Sequence, residues 1–281
     1  MNISIVIPVY NEEESLAACL QTIAVQSVAP FEVIVVDNNS TDNSVAVALS
    51  FPFVRVLHEP RQGVIHARTT GFNAARGDII GRIDADSLIA PNWVATLQQL
   101  FAAEPDLAAV TGRVRYYNLA WSGLLDAIDF RIRRRLARLL GREVAMQGAN
   151  LAVRQSAWRD VRHHLCSAAD MHEDYDLAIH LAELDHRVAF DARLEATISF
   201  RQAESNWRNF CIYAWISPRT YALHSLKSRR HMYPVVALVI VAYPLLRLLH
   251  KGYDAQTQRF SWRLLLADSV VPRVNPATFV E

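Results

Sequence analysis

The sequence predicts an α/β fold in which a mostly parallel sheet carries helices on both of its faces. The first observation is that, over residues 3–83, short β-rich apolar runs alternate with segments whose apolar residues recur at helical spacing. The second is that polar and acidic residues directly follow these runs, at the edge where parallel sheets bind ligands. The length of 281 residues allows one large domain of this kind with an appendage.

Four apolar runs are predicted to be parallel strands. They are Ile3–Val9, Phe31–Asp37, Phe53–Leu57 and Asp78–Ile83. The segments that connect them are predicted to be helices. The first helix is indicated by the spacing of Leu16, Leu20 and Ile23, with Asn11 as its cap. A short second helix is capped by Thr41 and Asp42, and a third covers residues 63–76.

After Pro91 the pattern is less regular. We predict a helix over 91–103, a strand over 107–116, a long helix over 119–140, a loop at 147–150, a strand with a short helix, and a helix over 172–184. The long helix has an apolar face made of Leu125, Ile128, Ile132, Leu136 and Leu139. Most of its arginines lie on the other faces of the helix. They are Arg131, Arg133, Arg134, Arg135 and Arg138. They form either a solvated basic face or a surface for phosphate or lipid headgroups.

The composition excludes several classes of protein. With 52% hydrophobic and 20% charged residues the chain is neither disordered nor collagen-like. Its three cysteines are widely separated, which argues against a disulfide scaffold and against a CxxC metal site. No signal peptide is expected before the first strand. We therefore interpret the cysteines as intracellular thiols.

The formal net charge of +1 conceals an uneven distribution. Residues 1–204 carry 19 arginines and no lysine against 25 acids, a net charge of −6. Residues 205–253 carry seven basic residues and no acid. We therefore predict two regions, an acidic-leaning domain over 1–204 and a basic, apolar, helical region over 205–281 that meets an anionic surface.

An uncharged, mostly apolar run covers Met232–Leu246. A 15-residue helix spans roughly 22 Å, less than the roughly 30 Å of a bilayer core. Pro234 and Pro244 bracket the run, and basic residues lie on both sides of it. This pattern favours a segment that lies in or dips into one leaflet, and a buried helix of a soluble core is the alternative.

The triplet Asp84-Ala85-Asp86 follows the fourth predicted strand. In an extended chain the two aspartates point to the same side. Paired carboxylates suit a hard divalent ion such as Mg²⁺ or Mn²⁺, which keeps water and phosphate oxygens as its other ligands. The position after a buried strand makes this triplet a candidate metal site.

Three stretches together resemble family 2 glycosyltransferases. They are SIVIPVYNEEESLAACLQTI, VIVVDNNSTDNS and ARTTGFNAARGDIIGRIDADS, and the likeness covers about residues 3–200. The resemblance implies a GT-A fold, which is Rossmann-like. It also implies transfer of a sugar from a nucleotide-diphosphate donor, usually with inversion at the anomeric carbon.

The resemblance also implies roles for single residues. The residues expected to line the nucleotide pocket are Pro8, Val9, Tyr10 and Glu12. Asp37 would accept hydrogen bonds from the base or ribose, and Arg68 would approach the nucleotide or diphosphate. Asp84 would lie near the ribose and metal, and Asp86 would bind the metal.

The family places its general base in a Glu-Asp pair, which Glu173-Asp174 matches. Asp174 is therefore the expected base, and the neighbouring acids would raise its proton affinity. Gly148, Asn150 and Glu173 are expected beside the donor sugar or the acceptor. With a phosphate acceptor, which is already ionised, Asp174 would orient rather than deprotonate. The QxxRW signature of processive members is replaced by QAESNWR at 202–208, which favours a single transfer.

The sequence thus predicts a metal-dependent inverting glycosyltransferase at the cytoplasmic face of a membrane, acting on a lipid-linked or cell-envelope glycan acceptor. Two alternatives stay open: a soluble transferase with a non-lipid acceptor, and a catalytically silent nucleotide-sugar-binding protein. A nucleotidyltransferase is disfavoured because no glycine-rich phosphate loop follows the first strand. Nucleic acid is not an expected partner, because the basic residues are interleaved with long apolar runs.

Overall fold

The computed structural model describes residues 1–118, 122–141, 145–168, 170–254 and 259–266. The strands are β1 (Ile3–Val9), β2 (Glu32–Asp37), β3 (Val54–His58), β4 (Ile79–Arg82), β5 (Leu88–Ile89), β6 (Leu107–Tyr116), β7 (Leu151–Arg154), β8 (Arg187–Ile198), β9 (Tyr253–Asp254) and β10 (Arg259–Phe260). The helices are α1 (Leu16–Ala24), α2 (Ser44–Leu49), α3 (Val64–Ala74), α4 (Trp93–Ala103), α5 (Ser122–Leu140), α6 (Gln155–Val161), α7 (Glu173–Glu183), α8 (Trp207–Leu223), α9 (Met232–Lys251) and α10 (Trp262–Leu266).

The main sheet has eight strands in the order β3-β2-β1-β4-β7-β6-β8-β5. β3, β2, β1 and β4 are parallel to one another, whereas β7 is antiparallel to both β4 and β6. β8 is parallel to β6, and the short β5 is antiparallel to β8. The predicted mostly parallel sheet is therefore confirmed, and its four N-terminal parallel strands end at one edge.

Helices cover both faces of the sheet, as predicted. On β1 the alternate residues Ile3, Ile5 and Ile7 belong to one buried cluster, together with residues of α1 and α4. Val6 points to the opposite cluster, which includes residues of α3, α6 and α7. Because successive strand side chains alternate between faces, one continuous apolar run fills both halves of the core.

The first helix begins later than predicted. α1 starts at Leu16 with Ser15 as its N-cap residue. Asn11 does not cap it: its backbone has φ 53°, and its side-chain oxygen accepts a hydrogen bond from the Thr41 amide at 2.8 Å. Asn11 therefore joins the loops that follow β1 and β2, at the edge of the sheet where the candidate site lies.

The long helix α5 differs from the expected packing. Of its predicted apolar face, Leu136 is buried, but Ile128 and Leu139 are 44% and 52% exposed. Arg133 turns inward and pairs with Asp129 at 2.6 Å. Part of the expected helix, residues 119–121, lies outside the described residues.

The C-terminal region begins with α8 and α9, which pack against each other through a cluster that includes Phe210 and Tyr243. Their rings stack at a centroid distance of 3.7 Å. α8 also contacts the N-terminal part of the chain, because the His172 amide donates to Thr220 Oγ1 at 2.9 Å. The boundary predicted at residue 204 thus separates elements that are in contact, and residues 255–258 and 267–281 of the predicted region lie outside the described residues.

The helix α9 is longer than the sequence indicated. It continues through Pro244 to Lys251, so the prolines noted in the apolar run do not end the helix. Its 20 residues extend about 30 Å. Among the described residues, Lys227–Lys251 is the helical segment long and apolar enough to cross a membrane, by length and composition. Of its apolar stretch, 22% is buried within the protein.

Candidate active site

The polar residues that follow β1, β2 and β4 meet at one edge of the sheet, because these strands are parallel neighbours. Val9 pairs in register with Asp37, the last residue of β2. The Val9 side chain is buried in the core, so this residue offers its backbone to the edge, where its carbonyl accepts from the Asn38 amide at 2.8 Å. Pro8 and Tyr10 are half-buried beside it.

Asp37 is buried, with 6% of its surface exposed. Its Oδ1 accepts a hydrogen bond from the Ser40 amide at 3.1 Å, and its Oδ2 lies 3.1 Å from His58 Nδ1. The carboxylate is therefore held in a fixed orientation at the end of β2.

Asp86 and Glu12 share one cation, the guanidinium of Arg201. Arg201 Nε lies 3.1 Å from Asp86 Oδ2, and its Nη2 lies 2.6 Å from Glu12 Oε2. Burial raises the pKa of Asp86 to about 7, although the charge of Arg201 opposes that shift. Two carboxylates from different strand ends thus converge on a single positively charged group.

Arg82 connects the end of β4 with the start of α7. It is 4% exposed, and its Nη2 donates to Asp84 Oδ1 at 2.9 Å while its Nη1 lies 2.9 Å from Glu173 Oε1. Although burial opposes it, pairing with Arg82 lowers the pKa of Glu173. Glu173, expected beside the acceptor or sugar, is therefore an ionised partner of Arg82.

Asp174 lies in the first turn of α7. Its Oδ2 accepts a hydrogen bond from the Gly148 amide at 2.7 Å, and its Oδ1 accepts one from the Tyr175 amide at 2.9 Å. Burial, reinforced by the charge of Glu173, raises its pKa to about 7. A carboxylate with this proton affinity can take a proton near neutral pH.

A cleft with a volume of about 300 Å³ lies beside Arg82 and the first turn of α7. Its walls include four of the predicted site residues, Asp84, Gly148, Glu173 and Asp174. Glu12, Asp37 and Asp86 are not among its walls. The remaining walls come from the start of α3, the segment before α7, and α8, and they include Gln62, His66, Ser167, His172, Tyr213 and Ile216.

Two predicted site residues occupy other positions. Arg68 is 2% exposed, donates to the Glu173 carbonyl at 3.3 Å and lies against the rings of Phe72 and Trp158. Burial lowers its pKa to about 10. Arg68 thus supports α7 from behind and does not line the cleft.

Asn150 is fully buried, and its amide is saturated by protein groups. Its Oδ1 accepts from Trp93 Nε1 at 2.8 Å, and its Nδ2 donates to the carbonyls of Arg113 and Leu194 at 2.9 and 3.0 Å. Both amide hydrogens of Asn150 are therefore used within the protein, so this side chain has no donor left for the sugar or acceptor beside which it was expected.

Sequence reasoning did not find Arg82, Arg201, His172 or Tyr213. The sequence offered a clue to Arg82, because an arginine inside an apolar strand is expected to be buried and therefore paired with an acid. Arg201 follows β8, a strand that the sequence did not define. Burial lowers the pKa of His172 to about 4, so this cleft residue is a neutral imidazole at neutral pH.

Oxygen donors suited to a divalent ion are present at this edge. Asp84, Asp86 and Glu12 are carboxylates, the ligand type preferred by Mg²⁺ and Mn²⁺. The position of Arg201 indicates that these carboxylates accommodate a cation, because its guanidinium lies between Asp86 and Glu12. The residues present therefore fit such an ion.

Comparison with known proteins shows the family and the fold of the chain. Residues 4–160, more than half of the chain, match the sequence model of Glycosyl transferase family 2. Glycosyltransferase AglE of Haloferax volcanii is 28% identical over 181 residues, which are 60% of this chain and 59% of AglE. The undecaprenyl-phosphate 4-deoxy-4-formamido-L-arabinose transferase of Pectobacterium carotovorum is 33% identical over 176 residues, 59% of this chain and 50% of that protein. The match thus spans less than two thirds of either relative.

A solved structure resembles the fold over nearly the whole chain. Mannosyltransferase PcManGT of Pyrobaculum calidifontis, determined with GDP-Man and Mn²⁺, superposes with a TM-score of 0.63 at 19% identity. The superposition covers 99% of this chain and 77% of that one. From the family match and this fold, the chain belongs to the family 2 glycosyltransferases and has the GT-A fold.

Proposed function

We propose that this protein transfers one sugar, with inversion, from a nucleotide-diphosphate donor to a hydroxyl or phosphate of a lipid-linked acceptor at a membrane surface. The observation that carries the proposal is the position of Asp174. It lines the same cleft as Asp84, and a buried arginine joins the two sides of that cleft.

Asp174 is the proposed general base. When the acceptor is a hydroxyl, its oxygen attacks the anomeric carbon while the bond from that carbon to the diphosphate oxygen breaks. The hydroxyl proton passes to Asp174, and the nucleoside diphosphate departs with the bonding electron pair. Attack opposite to the leaving group inverts the anomeric centre. The amides of Gly148 and Tyr175 aim the carboxylate and keep it from rotating.

Asp84 and Asp86, with Glu12 beside them, are proposed to hold Mg²⁺ or Mn²⁺. When bound, the ion stabilises the negative charge that develops on the departing diphosphate. Arg201 contacts Asp86 and Glu12 and so shares these carboxylates with the ion. The presence of Mn²⁺ in the structure of PcManGT supports this proposal.

The nucleotide is proposed to lie over the ends of β1 and β2. Asp37 is fixed there by the Ser40 amide and His58, so it can accept hydrogen bonds from a ribose or base. Pro8 and Tyr10 are half-buried next to it, and Val9 contributes its backbone. Arg68 acts through Glu173 rather than by touching the diphosphate.

The surface of α8 and α9 supports the proposal of a lipid acceptor. Large apolar side chains there are exposed, among them Ile212, Trp215, Leu238, Val241 and Leu245, with Val241 at 76%. The short 3₁₀ helix Lys227–His231 before α9 is basic, and its neighbour α5 exposes Arg131, Arg134, Arg135 and Arg138. An apolar face beside a basic cluster suits the interface of an anionic bilayer.

The names of two relatives support a lipid-phosphate acceptor. One is the undecaprenyl-phosphate transferase described above, and the other is a glucosyl-dolichyl phosphate glucuronosyltransferase of Haloferax volcanii, 29% identical over 120 residues. The same α8 places Tyr213 and Ile216 in the wall of the cleft. A lipid-linked acceptor held at the exposed side of α8 would therefore have its head group near Asp174.

The experiment is a thermal-shift screen of nucleoside diphosphates with and without Mn²⁺, followed by turnover of the matching sugar nucleotides with polyprenyl phosphate in vesicles. We expect one base to stabilise the protein, more so with Mn²⁺, and its sugar nucleotide to be consumed. Nucleotide binding without turnover across the donor panel would instead support a silent binding protein. Turnover of a water-soluble acceptor by a protein that stays unbound to anionic vesicles would support the soluble alternative.

A further inference from the structure

A group of four metal-ligating side chains lies outside the cleft, beneath α7. Cys166 comes from the segment before α7, Asp176 and His180 from α7 itself, and His224 from the C-terminal end of α8. One donor atom of each lies within 4.8 Å of the others. None of the four belongs to the carboxylate edge formed by Asp84 and Asp86, so this is a separate cluster.

The spacing of the donors corresponds to a tetrahedral ion site. Cys166 Sγ lies 3.6 Å from His180 Nε2, His180 Nε2 lies 3.4 Å from Asp176 Oδ1, and His224 Nε2 lies 3.0 Å from the same oxygen. Zinc bonds of about 2.0–2.3 Å place tetrahedral ligands about 3.3–3.7 Å apart. These three distances lie within a few tenths of an ångström of tetrahedral edges. The other donor pairs lie within 4.8 Å, so side-chain rotation has to bring them closer when an ion binds.

The surrounding hydrogen bonds orient the donors inward. His180 Nδ1 lies 2.8 Å from Glu183 Oε2, so Glu183 can hold the N–H of a neutral imidazole on the outer nitrogen and leave Nε2, which faces the cluster, for an ion. Asp176 is fully buried, and its Oδ2 accepts from the Cys166 amide at 3.1 Å, which leaves Oδ1 facing the imidazoles. A histidine held by a carboxylate on its outer nitrogen is a usual feature of metal sites.

We infer that Cys166, Asp176, His180 and His224 bind a structural Zn²⁺ ion. A thiolate with two imidazoles and a carboxylate is a borderline-soft set that suits zinc rather than Mg²⁺. Four protein ligands close the coordination sphere, so this ion does not activate water or touch substrate. It deprotonates the Cys166 thiol on binding, and that proton is released to solvent.

The ion would fix the parts of the cleft that carry the proposed chemistry. It links α7, which presents Asp174, to the segment before α7 and to α8, which presents Tyr213 and Ile216. The inference concerns metal binding and stability and does not depend on the proposed transfer reaction. Loss of zinc and loss of the transfer reaction can therefore be told apart.

The test is metal analysis of the full chain purified without an affinity tag and without added metal, followed by titration with Zn²⁺ and with Co²⁺. We expect about one tightly held zinc per chain. Co²⁺ should give the d–d bands of a tetrahedral site and a thiolate-to-cobalt charge-transfer band. The cysteine nearest the carboxylate edge is Cys19, whose Sγ donates to the Asp84 carbonyl at 3.7 Å. A band from the proposed site should therefore be unchanged in both Cys19→Ala and Asp86→Ala.

Single substitutions test whether the bound metal is held by the four proposed ligands. Cys166→Ser should abolish the charge-transfer band, His224→Ala should lower zinc affinity, and Glu183→Gln should lower it by about 10–100-fold. The matched controls are Cys211→Ser on α8 and His164→Ala, an exposed histidine near Cys166, which should bind as the wild type does. Wild-type protein that acquires no zinc and shows no thiolate band with Co²⁺ would overturn the inference, whatever the folding of the variants. So would an equal loss of the band in Cys211→Ser.

Discussion

Arg82 Nη1 lies 2.9 Å from Glu173 Oε1, and the same guanidinium donates from Nη2 to Asp84 Oδ1 at 2.9 Å. One buried cation therefore joins the carboxylate edge of the sheet to the first turn of α7. Asp174, the next residue after Glu173, is positioned by this connection. The geometry of the proposed base thus depends on a residue inside β4.

Gly148 leaves room for that cation, which gives the first prediction. A Cβ at this position would lie 1.6 Å from Arg82 Nη1, and Arg82 is too enclosed to move. We expect Gly148→Ala to destabilise the protein by about 1–3 kcal/mol and to slow turnover by about 100-fold, because Arg82 and Asp174 are both displaced.

The matched control is Gly123→Ala on α5, where a Cβ meets no atom within 4 Å. It should be neutral or stabilising by up to about 1 kcal/mol, since alanine is the better helix former. Urea denaturation and initial rates measure both variants. Equal behaviour of the two would contradict the assigned role of Gly148.

In the proposed ion site, Arg201 would compete with the divalent ion for Asp86 and Glu12. We expect Arg201→Gln to bind Mn²⁺ about tenfold more tightly, because a neighbouring positive charge is removed. Without metal, the variant should melt at a lower temperature, because Asp86 and Glu12 lose the guanidinium that pairs with both. Titration of free Mn²⁺ by electron paramagnetic resonance and melting in chelator measure the two effects.

Arg193→Gln is the control, since Arg193 is 65% exposed and pairs with Asp191 away from Asp86. It should leave Mn²⁺ affinity unchanged. Weaker Mn²⁺ binding by Arg201→Gln would show that the arginine supports the ion instead of competing with it.

The pH dependence of turnover follows from Asp174. Its pKa is raised to about 7 by burial and by Glu173, so below that pH the carboxyl is protonated and cannot accept the acceptor proton. With a hydroxyl acceptor, we expect the rate to fall about tenfold for each pH unit below 7. A rate that is constant from pH 5 to 8 would contradict the assignment.

The free energy of unfolding should change with pH in the opposite direction to the rate. A carboxyl whose pKa is higher in the folded than in the unfolded protein favours folding when protonated, and this contribution is lost as pH rises from about 4 through 7. Asp174→Asn, which stays neutral, should therefore melt at a higher temperature than the wild type at pH 8. Asp160→Asn, at an exposed acid, should not.

Membrane binding should depend on the basic segment before α9. Replacing Lys227, Arg229 and Arg230 by glutamine removes three charges worth about 1 kcal/mol each near an anionic surface, so partitioning into such vesicles should fall by about 100-fold. The same charge change at Arg55, Arg76 and Arg193 is the control and should have little effect. Flotation measures both, and failure of the intact protein to float would contradict the membrane assignment.

The carboxylate edge could be predicted from the sequence because Asp37 and Asp84 directly follow apolar strands, and parallel strand ends meet. β8 was not predicted, and with it Arg201 was missed, although Asp191, Arg193 and Glu195 alternate with apolar residues as in a strand with one exposed face. The position of Asn150 also required the structure: a local motif does not show that Trp93, Arg113 and Leu194 saturate its amide.

Contacts between distant segments were the hardest to foresee. The four proposed zinc ligands extend from Cys166 to His224, and their spacing matches no short metal motif. Likewise, Ile128 and Leu139 form a regular apolar pattern on α5, yet both are exposed. Periodicity shows which residues share a helix face, but it does not show what that face packs against.

The central claim is that Asp174 acts as the base of a sugar transfer. Its most direct test is the turnover of the matching sugar nucleotide with a hydroxyl acceptor at saturating Mn²⁺ and pH 8, for wild type, Asp174→Asn and Asp160→Asn. We predict a loss of about 10²–10⁴-fold in kcat for Asp174→Asn, with nucleotide affinity and melting temperature at least maintained and Asp160→Asn unaffected. Full activity of a folded Asp174→Asn variant would contradict the account.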